Sequence, residues 1–192
     1  MKLECLKDKL RQAVGVAEKS TGKNLSLSAL NYVLLETKDR QLKISATNLD
    51  LAIELVVPAK VEKEGRTLIN PLVLNNFLNT IDAEKITIEL INNNLSISTA
   101  TNSSLFRTYP VDDFPAIPHQ LASEIITLPL SVFLIGIRSV WYSASSSDIK
   151  PEISSVYVYQ DSQELVFAAT DSFRLAEKKI TLNKPPTTPF KL

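Results

Sequence analysis

The stretch closest to nucleophilic chemistry is a run of hydroxyls beside a carboxylate, Ser143, Ala144, Ser145, Ser146, Ser147 and Asp148. A serine nucleophile needs a base within hydrogen-bond reach, and that base needs a third group to orient it. No histidine or lysine is positioned to act as that base, so the run reads as a loop after a helix. A hydrolase built on residues 145–148 is a rival reading, and in it Ser147→Ala would abolish turnover. Asp112 and Asp113 are metal-ligand types, yet no second acidic cluster lies near them in sequence, and a turn accounts for both. A single thiol, Cys5, and a single imidazole, His119, make neither a zinc site nor an intramolecular disulfide. With four glycines and neither a phosphate-cradling loop nor a nucleophile elbow, the chain is read as non-catalytic, without cofactor or metal.

Recognition chemistry is better represented. Ala169, Thr170, Asp171, Ser172, Phe173, Arg174, Leu175 and Ala176 mix a hydroxyl, an acid, a cation and large apolar groups. An echo lies upstream at Ala46, Thr47, Asn48, Leu49, Asp50, Leu51 and Ala52. Leu30, Val33, Leu35, Leu42, Ile44, Ala46 and Thr47 match Ile153, Val156, Val158, Leu165, Phe167, Ala169 and Thr170 at one offset (165 − 42 = 123). A match this long marks a duplicated unit of about half the chain.

The elements that must position these residues follow from pattern. Each copy shows an apolar strand, a polar turn at 37–41 or 160–164, and a second alternating strand, which together make a β-hairpin leading into the repeated stretch. Upstream of each hairpin come a strand and a helix, over 2–5 and 6–18 in the first copy and over 124–128 and 130–142 in the second. The first copy continues with a helix over 70–81, in which Asn70 is the N-cap, Pro71 opens the first turn, and Leu74, Phe77, Leu78 and Ile81 form one apolar face. Strands over 85–90, 94–98 and 105–109 complete it. The proline-rich passage 109–118 is an extended connector in which Phe114 anchors the chain to the first domain. These assignments divide the chain into a first domain, 1–118, a connector, 119–123, and a second domain, 124–192. Subtracting the offset from Leu192 lands at Ile69, so the second copy lacks a counterpart of the helix and later strands. The chain is therefore expected to be a fragment of a longer protein, and a natural product of 21 kDa by mass spectrometry would contradict that.

Composition fits an ordinary soluble globular protein, with 44% hydrophobic and 22% charged residues and no apolar run of membrane-spanning length. A cytosolic location is the default, and the N-terminus has no signal-peptide core. Net charge is zero, so binding to nucleic acid would depend on local distribution. Residues 1–24 hold six basic side chains against three acidic ones. Lys7 and Arg11, four apart on the first helix, share a polar face that is either simply solvated or turned toward phosphates.

The repeated stretch 169–176, the connector Val111, Asp112, Asp113, Phe114, Pro115, the early Thr47, Asn48, Leu49, Asp50, Leu51 and the segment 148–153 occur in collinear order. Together they resemble the bacterial sliding clamp family, the beta subunits of DNA polymerase III. The resemblance covers essentially the whole chain. It implies an α+β DNA clamp (processivity-factor) fold, with repeated β/α domains, helices lining a DNA hole and antiparallel sheets outside. It further implies a head-to-tail homodimer ring with three domains per subunit. Such a ring encircles duplex DNA without sequence preference, slides, and tethers the replicative polymerase, so no catalysis is required of the clamp. The implied location is the bacterial cytoplasm, at the nucleoid. The alternative from another class is a peptide-binding adaptor with no DNA role.

The resemblance also assigns residues. Lys23 stands where such clamps carry a basic residue near DNA, and Ser147 where they carry a polar DNA contact; Lys7 and Arg11 join them by helix geometry alone. Helix 70–81 departs from the family in having no basic residue, with Leu72 and Asn79 where Lys or Arg is expected. Thr170, Ser172, Phe173, Arg174 and Leu175, with Ile153 opposite and Lys150 and Pro151 at the approach, would form part of a pocket for short apolar-ended peptides of polymerases, the clamp loader and repair proteins. Phe173 departs from the smaller or imidazole side chain common there. Read without the resemblance, Leu175 is core and Arg174 a surface ion-pair partner. Leu105, Phe106, Arg107, Thr108 and Tyr109 would be the edge strand that closes the dimer. The rest of the pocket belongs to a third domain, so the chain alone is expected to bind such peptides weakly.

Overall fold

The computed structural model describes residues 1–22, 27–117, 127–147 and 150–182. The chain divides into two compact units, Met1–His119 and Gln120–Leu192.

In the first unit, β1 (Lys2–Leu6) runs directly into α1 (Lys7–Glu18), one residue later than the helix start expected from sequence. A hairpin of β2 (Val33–Lys38) and β3 (Gln41–Thr47) follows, and then β4 (Ala52–Lys63) and β5 (Gly65–Ile69). Next come α2 (Pro71–Thr80), β6 (Lys85–Ile91), β7 (Asn94–Ser98) and β8 (Ser103–Arg107). All pairings are antiparallel, in one eight-stranded sheet of order β5-β2-β3-β4-β1-β6-β7-β8. Two β-α-β-β-β modules lie within that order. After β8, Tyr109 N donates to Leu68 O (3.0 Å), bringing the chain back to β5 at the opposite end of the sheet.

The local causes are visible in the side chains. Leu10, Val14 and Ala17 recur at helical spacing and are buried together with the inward residues of the strands, among them Leu35, Leu42, Ile44, Ile86 and Ile88. Asn70 caps α2 by accepting from Val73 N (3.2 Å), and Pro71 occupies the position where a missing N–H costs nothing. The tight hairpins turn on residues with positive φ, Asp39 and Arg40 (51° and 60°) and Asn92 and Asn93 (49° and 60°), which suits the right-handed twist of the flanking strands. The sequence pattern announces neither β4 nor β5. Strand β4 pairs with β3 as far as Pro58 and with β1 from Ala59, so Pro58 sits where β4 changes partner and its missing donor is tolerated.

In the second unit, α3 (Leu130–Val140) is followed by single 3-10 turns at Trp141–Ser143 and Pro151–Ile153, and then by a three-stranded antiparallel sheet of order β11-β10-β9. The strands are β9 (Tyr157–Asp161), β10 (Glu164–Thr170) and β11 (Leu175–Thr181). Residues 127–129 are not in a strand, and the rest of the strand expected over 124–128 lies outside the described residues, as do His119 and the connector 119–123. Phe167 fills the core, with Phe133 edge-on at 6.0 Å between centroids. Gly136 is there because of that ring: a Cβ at this position would stand 2.2 Å from Phe167.

The offset of 123 holds element by element, placing β10 on β3 (164 − 41) and the start of α3 on that of α1 (130 − 7). Where the helices touch different surroundings, their chemistry diverges. On α1, Lys7, Arg11 and Glu18 meet Ile81, Asn79 and Asn75 in or beside α2. Their counterparts in the second unit are Leu130, Leu134 and Trp141, exposed at 70%, 40% and 63%.

Candidate functional site

Residues 170–175 join β10 to β11, and their shape is set by two side chains. Thr170 Oγ1 donates to Arg174 O (2.7 Å) and accepts from Ser172 N (3.2 Å). Asp171 Oδ1 accepts from the amides of Phe173 and Arg174, both at 3.0 Å, and Asp171 N donates to Arg174 O (3.4 Å). Ser172 sits at the apex with φ 77°. The second carboxylate oxygen of Asp171 accepts from Arg174 Nε at 2.9 Å, and the guanidinium carbon lies 6.0 Å from the ring centre of Tyr142. The amide of Phe173 is the main cause that holds the Asp171 carboxyl below its ordinary pKa, aided by the amide and guanidinium of Arg174 and opposed by partial desolvation.

Such a turn can present side chains. Phe173 is 97% exposed and Leu175 72% exposed, so two large apolar groups project beside a fixed cation. Leu175 is thus not a core residue, whereas Arg174 does have an ion-pair partner, Asp171. Ile153 is half-buried at the end of a 3-10 turn, its carbonyl accepting from Ser145 N (2.9 Å), and Lys150 is exposed just before that turn, which Pro151 opens. Asp171 and Tyr142, both in contact with Arg174, are not among the candidates expected from sequence. An acid three residues before an arginine inside a hairpin turn was the available signal for the first; the second is reached only through folding.

The other candidates are spread over the first unit and the loop after α3. Lys23 lies outside the described residues. Lys7 turns into the α1–α2 seam, where Nζ donates to Ile81 O (3.3 Å) and stands 3.5 Å from Asp8, leaving its side chain 17% exposed. Arg11 donates to Asn79 Oδ1 (3.4 Å) and lies 3.6 Å from the same Asp8. Ser147 is exposed, and its amide donates to Ser145 Oγ (3.1 Å). The exposed face of α2 is uncharged: Leu72, Val73, Asn76, Asn79 and Thr80.

Strand β8 ends at Arg107, short of the 105–109 span expected from sequence, and pairs only with β7 among the described strands. Leu105 is exposed, while Phe106 packs against Phe77 with 4.9 Å between centroids. Arg107 lies over the Tyr109 ring at 5.7 Å, Tyr109 stacks on Tyr32 at 4.1 Å, and Thr108 Oγ1 donates to Asn93 O (2.7 Å). Asp112 and Asp113 lie in a turn. Phe114 helps close a cavity of about 260 Å³ against Leu34, Glu36, Lys43 and Arg66, consistent with an anchoring role. Among the described residues no three acidic, cysteine or histidine side chains converge as a metal group would require, and no helix is long and apolar enough to cross a membrane.

Residues 1–118 match the family described as DNA polymerase III beta subunit, N-terminal domain. A beta sliding clamp of Micrococcus luteus is 27% identical over 180 residues, which cover 94% of this chain and 58% of that protein. The crystal structure of the DNA polymerase III beta subunit from Thermotoga maritima aligns over 100% of this chain and 52% of its own, with a TM-score of 0.89 and 22% identity. A sliding clamp from Pseudomonas aeruginosa bound to griselimycin aligns over the same shares, with a TM-score of 0.88 and 18% identity. The chain spans about half the length of these relatives. With the clamp-type α+β fold present and the family match covering the whole first domain, this chain belongs to the DNA polymerase III beta subunit family, the bacterial sliding clamps.

Proposed function

We propose that this chain serves as part of a sliding clamp, a non-catalytic cytoplasmic ring that encircles duplex DNA and tethers the replicative polymerase. The observation that carries the reading is that similarity to sliding clamps runs collinearly through both units rather than through one shared domain. Sequence-blind sliding needs dispersed cations reaching phosphates, with a strong dependence on salt. Lys23 and Ser147 are the assigned contacts. Lys7 and Arg11 contribute less, because Asp8 stands beside both and the helix seam holds them. Lys9 and Lys19, exposed on and just after α1, add to the positive surface.

Residues 170–175 form one side of the peptide-docking surface, with Ile153, Lys150 and Pro151 near it, and they receive short motifs of the polymerase, the clamp loader and repair proteins. The edge of β8, residues 105–109, joins a neighbouring subunit in the dimer. The uncharged face of α2 favours one second reading, a peptide-binding adaptor without a DNA role. Retention on DNA separates the two. Assembled as a ring, the protein should stay on nicked circular duplex through gel filtration at low salt and leave when the circle is cut. Lys23→Ala should lower retention while sparing peptide binding. Equal retention on linear and circular DNA, or none on either, would overturn the clamp reading.

A further inference from the structure

The two repeated turns share their backbone bonds but not their acid. In the first, Asn48 Oδ1 accepts from the amides of Asp50 and Leu51 at 3.1 and 2.8 Å, the same pair of bonds that Asp171 makes. A carboxylate is therefore not needed to build the turn, because an amide oxygen does so in the same molecule. What the carboxylate adds is its second oxygen, which takes Arg174 Nε at 2.9 Å; the first turn has Leu51 at the matching position. With Nε bound and the guanidinium lying along Tyr142, the two terminal nitrogens of Arg174 make no hydrogen bond to any described residue, and the side chain is 59% exposed. An arginine held this way loses little rotamer freedom when it binds and presents a planar pair of donors.

We propose that Asp171 is the positioning residue of the peptide-docking turn, presetting Arg174 to donate to a carbonyl or carboxylate oxygen of a bound peptide whose apolar side chains lie against Phe173 and Leu175. The inference rests on the reading of residues 170–175 as a docking turn. It names the polar half of that surface and the acceptor chemistry it selects. Bidentate arginine bonds to charged or strongly polar oxygens are both strong and geometrically selective. Backbone shape and side-chain placement are thereby divided between the two oxygens of one carboxylate.

The test uses the chain itself, labelled for nuclear magnetic resonance, with griselimycin at millimolar concentration as the probe. Asp171→Asn should keep the turn, as Asn48 does for its own, and should lower the thermal midpoint and the amide protection of Phe173 and Arg174 no more than protonating Asp171 does. The same variant should speed proton exchange at Arg174 Nε, move the Tyr142 ring signals, and weaken griselimycin binding roughly five- to tenfold. Affinity of the wild-type chain should fall in acid as the Asp171 carboxylate, which faces the Arg174 guanidinium, is protonated, whereas the Asn variant, with no carboxylate there, should show a flat profile. Asp171→Ala should additionally unlock the turn. Unchanged Arg174 Nε exchange and affinity in Asp171→Asn would overturn the positioning role while leaving the docking surface intact. Absence of griselimycin-induced shifts at Phe173 and Leu175 in the wild-type chain, with Arg174 still responding to Asp171→Asn, would instead overturn the docking reading and the inference with it.

Discussion

The turns at 47–52 and 170–175 share one backbone design and carry two surfaces. Thr47 Oγ1 donates to Leu51 O (2.9 Å) and accepts from Leu49 N (3.0 Å), as Thr170 does toward Arg174 and Ser172. The apex residues take φ 82° at Leu49 and 77° at Ser172. Each bond of the first turn has its partner 123 residues on (170 − 47), so threonine and an Asn or Asp side chain are the residues that specify the shape. The remaining positions were free to diverge. They became Leu49, Asp50 and Leu51 in one turn and Ser172, Phe173 and Arg174 in the other. The fold constrains the bonds and leaves the outward side chains free to differ.

The largest expected effect tests whether the helix packing behind the turns is as interchangeable as the turns themselves. Gly136 corresponds to Ala13, and Phe167 to Ile44 (136 − 13 = 167 − 44 = 123). Gly136→Ala should destabilise the second unit by about 3 kcal/mol by driving a methyl into the Phe167 ring. Adding Phe167→Ile, which reproduces the pair of the first unit, should recover much of that loss in chemical denaturation. Failure of the second change to rescue would show that the two helices are seated differently.

Next come the shared threonines. Thr47→Val and Thr170→Val each remove a donor and an acceptor, and each should cost about 1–2 kcal/mol, read from denaturation midpoints. The cost should be larger at Thr47, which is buried at 5% exposure. A loss at one position only would break the equivalence.

Acid should then separate turns that look alike at neutral pH. Asp171 has a folded pKa below its unfolded one, so its stabilisation is present above the ordinary carboxylate range and is lost as pH falls through the folded value. Amide exchange at Phe173 and Arg174 should quicken in acid relative to the intrinsic rate. Exchange at Asp50 and Leu51, whose amides are held by the non-titrating Asn48, should not. The smallest effect is expected from Phe173→Ala. At 97% exposure the ring contributes under about 0.5 kcal/mol to stability, so any larger effect should appear in peptide binding rather than in the thermal midpoint.

Much of this comparison was legible before folding. The alternation in 33–38 and 41–47, the cap at Asn70 and the period of Leu10, Val14 and Ala17 are local signals whose causes lie within one turn of helix or one hairpin. Phe114, expected as an anchor in the passage 109–118, packs beside Leu34, Glu36, Lys43 and Arg66. Strand β4 was not legible, because it serves two partners and its burial pattern follows neither alone. Lys7 and Arg11 shared a helix face in the sequence, but which neighbour that face would meet was hidden. The answer is α2 and the residue just after it, about seventy residues further on, where the Ile81 carbonyl and Asn79 hold the two cations.

The chain's own residues already specify the duplicated unit, the hairpins, the capped helix, the family resemblance and the grouping of Thr170 through Leu175 in one repeated stretch. These follow from residue-by-residue preference and from repetition, both written along the chain. Folding in three dimensions adds that Leu175 and Phe173 project outward, that Tyr142 lies beside Arg174, and that Asp171 divides its two oxygens between backbone and guanidinium. Exposure and the pairing of distant side chains depend on how a helix end and a strand turn approach in space. No local pattern encodes that distance.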